Sequence, residues 1–222
     1  MDVINFRKRL LPWGKKHFRV FPWRLTDNPY HILMAEVMLH RTQALQVVPV
    51  YEQFIHRFPD LSELANATEA ELNELLYSLG LRWRISLIHE MVAQLINHFD
   101  GRVPREKTDL LGLPGVSDYI ASAVGCFAWN QPEALIDTNT VRVTGRLFGW
   151  EVKDSSRRNS RFREAISSLT DPKEPKAFNY ALLDLAAQVC TKTRPPDCLN
   201  CPVLSQCTYG QNHHSADSKF GE

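Results

Sequence analysis

The sequence predicts an all-α protein, and two observations predict it. Apolar residues recur at helical spacing over nearly all of the 222 residues, and no stretch alternates apolar with polar side chains for long enough to require a sheet. Between the periodic segments stand Pro, Gly, Asn, Asp and Thr residues of the kinds that start and stop helices. A chain of this length makes one large domain or two small ones and buries a core of its own.

Phe6, Leu10 and Trp13 mark the first amphipathic segment, which Pro12 is expected to end or kink, and Phe21-Pro22-Trp23-Arg24 follows it. After the break at Thr26-Asp27-Asn28-Pro29 comes an apolar helix that carries Glu36, with Pro29 suited to its first turn. Residues 43–58 continue helically despite Pro49. Thr68-Glu69-Ala70-Glu71 has the capping-box pattern ahead of Leu72, Leu75, Leu76 and Leu79, and Gly80 stops that helix by accepting a left-handed backbone. Residues 84–99 form another amphipathic helix, closed by Asp100-Gly101. A short helix at 108–112, the turn Leu113-Pro114-Gly115-Val116-Ser117 and a helix at 118–129 make a helix-hairpin-helix. The chain resumes as helix at 138–148, crosses a polar stretch at 153–160, and forms two more helices before Cys190. The polar tail from Asn212 is expected to fray, and no internal repeat is present.

With 44% hydrophobic and 23% charged residues, the composition excludes a disordered or fibrous chain. The longest apolar stretch, residues 31–39, contains Glu36 and is too short to cross a bilayer. The opening Met1-Asp2-Val3 has none of the basic-then-apolar pattern of a secretion signal, so a cytoplasmic location is expected. The balance of 26 Lys+Arg against 25 Asp+Glu is less basic than that of a typical nucleic-acid binder. Local basic runs, such as Arg157/Arg158/Arg161/Arg163, are by default solvated faces.

Four positions carry chemistry. Cys190, Cys198, Cys201 and Cys207 have the spacing C-x7-C-x2-C-x5-C, which in a reducing compartment suits a metal centre rather than disulfides. Zinc and an iron–sulfur cluster both use four thiolates, and the spacing leaves both open; the lone Cys126 reads as a small core residue. At the hairpin, Gly115 lets the backbone approach an anion and the following helix start offers free amides, so phosphate is the natural guest, with an ordinary interhelical turn as the alternative. Asp137 stands where a helix begins and suits an N-cap. Glu36 lies in an apolar helix, where desolvation favours the protonated acid unless the group is paired; it is either a proton donor or a buried carboxylate bonded to backbone.

Taken together, these residues resemble the endonuclease III superfamily of helix-hairpin-helix, iron–sulfur DNA glycosylases, over nearly the whole chain to Cys207. The signatures occur in the family's order: Phe21-Pro22-Trp23-Arg24, Ala35-Glu36-Val37-Met38-Leu39-His40-Arg41-Thr42-Gln43, Leu113-Pro114-Gly115-Val116-Ser117-Asp118-Tyr119, Leu135-Ile136-Asp137-Thr138-Asn139-Thr140-Val141-Arg142-Val143, and the four cysteines. The resemblance implies a two-lobed helical fold, with a six-helix lobe over residues 27–134 and a cluster lobe built from residues 1–26 with 135–222. It implies a 4Fe-4S cluster, with zinc as the alternative, and a monomer acting on double-stranded DNA that carries a mismatched or damaged base. It implies no membrane, and a place on the nucleoid if the cell is prokaryotic.

Residue by residue, Asp137 matches the family's essential aspartate, which faces the sugar of an extruded nucleotide and stabilises the positive charge that develops there. Glu36 polarises the leaving base or a bound water, and His40 or Trp83 fills the gap in the duplex. Contacts to DNA are implied for His40, Arg41, Arg82, Trp83, Leu113, Gly115, Ser117 and Asn139. Tyr119 occupies the position held by Lys in the glycosylase/lyases, by Ser in many adenine glycosylases and by Tyr in the G/T mismatch enzymes. Without that amine there is no Schiff-base nucleophile, so the implied reaction is hydrolytic release of thymine or uracil opposite guanine, with little or no strand cleavage. The alternative is an adenine glycosylase acting on adenine opposite 8-oxoguanine or guanine; those enzymes usually carry a further carboxyl-terminal domain, and this chain stops shortly after the cysteines. From other classes, the alternatives are a non-catalytic DNA-binding module with a structural metal loop and a zinc protein unrelated to DNA. Three departures stand out: the first cysteine gap is seven residues rather than six, Ser117 replaces a second hairpin Gly, and the wedge loop at Gly80-Leu81-Arg82-Trp83-Arg84 is a residue short.

Overall fold

The computed structural model describes residues 1–217, apart from the side chains of Arg82 and of residues 214–217. Among the described residues it contains no strand, and the α-helices in chain order are α1 (Val3–Lys16), α2 (Pro29–Met38), α3 (Ala44–Arg57), α4 (Leu61–Ala65), α5 (Glu69–Leu76), α6 (Ile85–Phe99), α7 (Lys107–Gly112), α8 (Asp118–Trp129), α9 (Thr138–Phe148), α10 (Ser160–Leu169), α11 (Pro175–Gln188) and α12 (Thr208–Asp217). None of these helices is long and apolar enough to cross a membrane. The chain divides into two compact units, Val20–Gln131 and Met1–Arg19 with the chain from Pro132 onward.

In the unit Val20–Gln131, α2 packs against α8 at the centre. Asn28 caps α2 by accepting from the amides of Tyr30 at 2.9 Å and His31 at 3.4 Å, and Pro29 takes the first position, which lacks an intrahelical amide partner anyway. Eight of the ten α2 residues are buried, Glu36 among them. The facing stretch of α8, Ile120 to Phe127, is buried throughout and includes Ala121, Ser122, Ala123 and Gly125. A helix apolar on all sides belongs in a core, and small residues on its partner let the two backbones approach. Cys126 is fully buried there, as expected of a core residue. Phe21 and Trp23 stack with ring centroids 5.0 Å apart, and Trp23 meets Tyr51 edge-on, so the aromatic start of this unit is structural. The capping box of α5 is closed in both directions by Thr68 and Glu71, and Gly80 takes φ +68° after it.

In the other unit, α1 lies along α11, and Gly14 of α1 leaves no room for a Cβ against Ala181. Phe6, Leu10, Val143, Leu147, Phe178, Leu182 and Leu185 make its core, with Cys190, Cys201 and Cys207 packed at the edge. Arg19 Nε donates to the buried carboxylate of Asp184 at 2.6 Å, tying the end of this segment to α11.

Three local features depart from the sequence pattern or go beyond it. Helix α1 runs through Pro12 to Lys16, because its buried stripe of Phe6, Leu10 and Gly14 is held on α11 while Pro12 faces outward. The five-residue α4 is too short to show periodicity; it is fixed by Asp60, which accepts from the Glu63 amide at 2.9 Å, and by buried Leu61 and Leu64. The polar tail is helical at Asn212: helix α12 continues to Asp217, and its first turn meets α9, where Tyr209 lies under Arg146 at 5.1 Å. Residues 218–222 of that tail lie outside the described residues.

Candidate functional site

The hairpin is a tight turn through a left-handed glycine into a capped helix start. Helix α7 ends at buried Leu113, the Val116 amide donates to the Leu113 carbonyl at 3.2 Å, and Gly115 turns the chain at φ +77°. Ser117 stands in ordinary extended backbone, φ −86° and ψ 166°, so it requires no glycine, and its hydroxyl caps α8 by accepting from the Ile120 amide at 3.3 Å. The replacement of a second hairpin glycine therefore adds a cap. Across the turn, Lys107 Nζ lies 3.3 Å from Asp118 Oδ1. Tyr119 follows in the first turn of α8, half-buried. A Gly115→Ala substitution forces a side chain into left-handed backbone with its Cβ 3.4 Å from Leu87 Cβ. The expected result is a loss of roughly 1–2 kcal/mol in thermal unfolding, with weaker duplex binding measured by fluorescence anisotropy.

The end of α2 carries the second group of residues. Glu36 is 4% exposed, inside the last turn of the helix. The chain reverses immediately after it: the Thr42 amide donates to the Leu39 carbonyl at 3.2 Å, and Arg41 sits exposed at φ +64°. A non-glycine residue in that region costs about 1 kcal/mol and is found where an exposed side chain has to be aimed. The ring of His40 lies 6.3 Å from the Trp83 indole at a steep angle, and Trp83 is 57% exposed in the short turn Arg82–Arg84. The side chain of Arg82 lies outside the described residues.

In the other unit, Asp137 caps α9 and is held at both oxygens. Its Oδ1 accepts from the amides of Asn139 at 2.8 Å and Thr140 at 2.7 Å, and its Oδ2 accepts from Asn139 Nδ2 at 2.7 Å. Thr140 Oγ1 returns the favour by accepting from the Asp137 amide at 3.0 Å. Asn139 Oδ1 in turn accepts from Arg142 Nη1 at 3.1 Å, and the same guanidinium donates to the carbonyls of Cys190 at 3.0 Å and Ala186 at 2.9 Å. An unbroken chain of hydrogen bonds thus runs from the Asp137 carboxylate to the start of the cysteine loop. Sequence reasoning missed Arg142, whose carbonyl partners Ala186 and Cys190 lie 44 and 48 residues away.

The four loop cysteines are free, half-buried thiols that share one neighbourhood. Burial pushes the thiols of Cys198, Cys201 and Cys207 up, Cys201 to about 12, and the nearby sulfurs of the set push them further. Arg146 Nη1 donates to Cys190 Sγ at 3.2 Å, and the Gly210 amide donates to Cys207 Sγ at 3.5 Å. Among the described residues no three His, Cys, Asp or Glu side chains converge closely enough to hold a single metal ion. Four thiols are the ligand type that a zinc site and an iron–sulfur cluster both use.

Two helices joined through a capped glycine turn are the frame of a helix-hairpin-helix protein. The chain belongs to the HhH-GPD superfamily of base excision DNA repair proteins, whose family model matches residues 34–168. It is 39% identical over 221 residues to a thymine-DNA glycosylase of Aeropyrum pernix, spanning 95% of this chain and 96% of that one. It is 34% identical over 216 residues to the adenine DNA glycosylase of Rattus norvegicus, spanning 93% of this chain but 42% of that protein. Among solved structures, that of a thermostable thymine-DNA glycosylase superposes with a TM-score of 0.85 at 31% identity, covering 93% of this chain and 95% of the other.

Proposed function

We propose that this protein is a monofunctional DNA glycosylase that hydrolyses the N-glycosidic bond of thymine or uracil opposite guanine. The observation that carries the reading is Tyr119 in the first turn of α8, directly behind the hairpin, where a lyase of this family needs an amine. The likeness to a thymine-DNA glycosylase along nearly all of both chains supports the choice of base. Adenine opposite 8-oxoguanine or guanine is the second reading, favoured by the relative from Rattus norvegicus.

In this reading the hairpin at Leu113, Gly115 and Ser117 takes a backbone phosphate on its amides. The target nucleotide is turned out of the duplex, and Trp83 and His40, with Arg41 and Arg82, meet the DNA around the gap. As the glycosidic bond breaks, Asp137 stabilises the positive charge on the sugar and orients the attacking water, while Asn139 fixes the carboxylate. Glu36 serves the leaving base, as proton donor or through a bound water. Cys190, Cys198, Cys201 and Cys207 hold a 4Fe-4S cluster, which when bound cross-links four points of the loop. The protein acts as a monomer on double-stranded DNA in the cytoplasm.

The test is a panel of duplexes carrying G/T, G/U, or adenine opposite 8-oxoguanine, each read with and without hot alkali. Thymine and uracil release that appears as strand breaks only after alkali is the expected result. Release of adenine alone overturns the choice of base, and tight duplex binding without any abasic site favours the non-catalytic module. Brown visible absorbance with matching iron content is expected of the purified protein, and a colourless zinc-bound preparation overturns the cluster.

A further inference from the structure

In the unit Val20–Gln131, Arg84 is a buried charged side chain with no carboxylate paired to it among the described residues. Arg84 is 4% exposed, and its Nε has no hydrogen-bond partner among the described residues. Two contacts hold it. Its Nη1 donates to the Val37 carbonyl at 3.3 Å, and its guanidinium carbon lies 4.7 Å from the centre of the Trp83 ring. Burial, and then the neighbouring charge of Arg41, both work against its ionised form. A cation kept in such a place has to be held by what it touches.

Both contacts point to the same use. Val37 is the residue after Glu36, in the last turn of α2, where carbonyls have no intrahelical partner and the helix end favours positive charge. The last turn of α2 carries no basic residue of its own. On its other side, the guanidinium backs the exposed indole that the proposed mechanism sends into the duplex. We infer that Arg84 is a positioning residue that fastens Trp83 to the end of the Glu36 helix, so that the side chain filling the gap and the acid serving the base move as one piece. Arg84 acts through Trp83 and α2, without touching the DNA itself. The inference rests on the reading of the protein as a base-extruding glycosylase.

The experiment compares single-turnover uracil release from two substrates: a fully stacked duplex with a central G/U pair, and the same uracil inside a three-base bubble, where little unstacking is needed. Arg84→Met is expected to slow the duplex reaction about tenfold or more while changing the bubble reaction by no more than about threefold, and Trp83→Leu is expected to slow the duplex reaction by a similar factor. The double variant is expected to be no slower than the worse single one, because the two side chains act as a unit. Arg84→Lys, which keeps a cation at the carbonyl and the indole, is expected to recover most of the loss. Equal slowing on both substrates, or losses that add in the double variant, overturns the inference. If Arg84→Met does not fold, Arg84→Gln, which also removes the cation from the indole, takes its place in the double variant with Trp83→Leu, and additivity there overturns the inference too. A wild-type protein that releases uracil from neither substrate overturns the glycosylase reading itself and takes the positioning role with it.

Discussion

Asp137→Asn is expected to lose about a thousandfold in single-turnover base release while binding mismatched duplex within a few-fold of the wild type. The size follows from electrostatics: a carboxylate about 4 Å from a developing sugar cation, at an effective dielectric near 20, contributes roughly 4 kcal/mol, and asparagine contributes none of its net charge. The retention of binding follows from the cap. Asparagine is as good an N-cap as aspartate, so its Oδ1 keeps the amides of Asn139 and Thr140, now 2.8 and 2.7 Å from Asp137, and α9 starts where it did. Only the bond to Asn139 Nδ2 is lost, since two amide nitrogens cannot pair without one of them turning over. Asp137→Ala is the informative contrast: it removes charge and cap together, and should lower stability by about 1 kcal/mol as well. Rates from quenched-flow alkali assays, affinities from anisotropy and melting by circular dichroism separate the effects. Full turnover by Asp137→Asn removes this carboxylate from the mechanism.

Much of this arrangement can be read from local sequence because it is local chemistry. Asn28-Pro29 ahead of an apolar run announces α2 and so places Glu36 in a core helix; Asp137, with Thr140 three residues on, announces a reciprocal cap. The hairpin glycine is legible because a left-handed turn requires it. What the sequence hides are contacts made across long separations. Arg142 meets the Cys190 carbonyl 48 residues away, and Arg84 meets that of Val37 47 residues away. Nothing near either arginine marks it off from the exposed arginines of 157–163. Their burial is decided by packing, which leaves no trace in short-range spacing. Pro12 misleads for the same reason: a local penalty is overridden when the stripe of Phe6, Leu10 and Gly14 is held on α11.

Arg142→Gln is expected to lower base release by more than tenfold and the iron content together, because one guanidinium serves both ends of the hydrogen-bond chain. On the α11 side it satisfies the carbonyls of Ala186 and Cys190, at 2.9 and 3.0 Å; losing a partner for a buried carbonyl costs about 1–3 kcal/mol, and glutamine is too short to reach both. On the other side it holds Asn139 Oδ1 at 3.1 Å, which turns Asn139 Nδ2 toward Asp137. Burial works against the charge on Arg142, while the neighbouring Cys190 and Asp137 favour it. Asn139→Ala cuts the same chain nearer the carboxylate and leaves Arg142 on its two carbonyls. It is expected to lower base release while keeping the iron content and visible absorbance of the wild type. The two variants together assign direction: the loop depends on Arg142, the carboxylate on Asn139, and Arg142 supports Asn139 from behind. If Arg142→Gln keeps full iron content and full turnover, the cysteine loop and Asp137 are independent, and the hydrogen-bond chain between them only stabilises the fold.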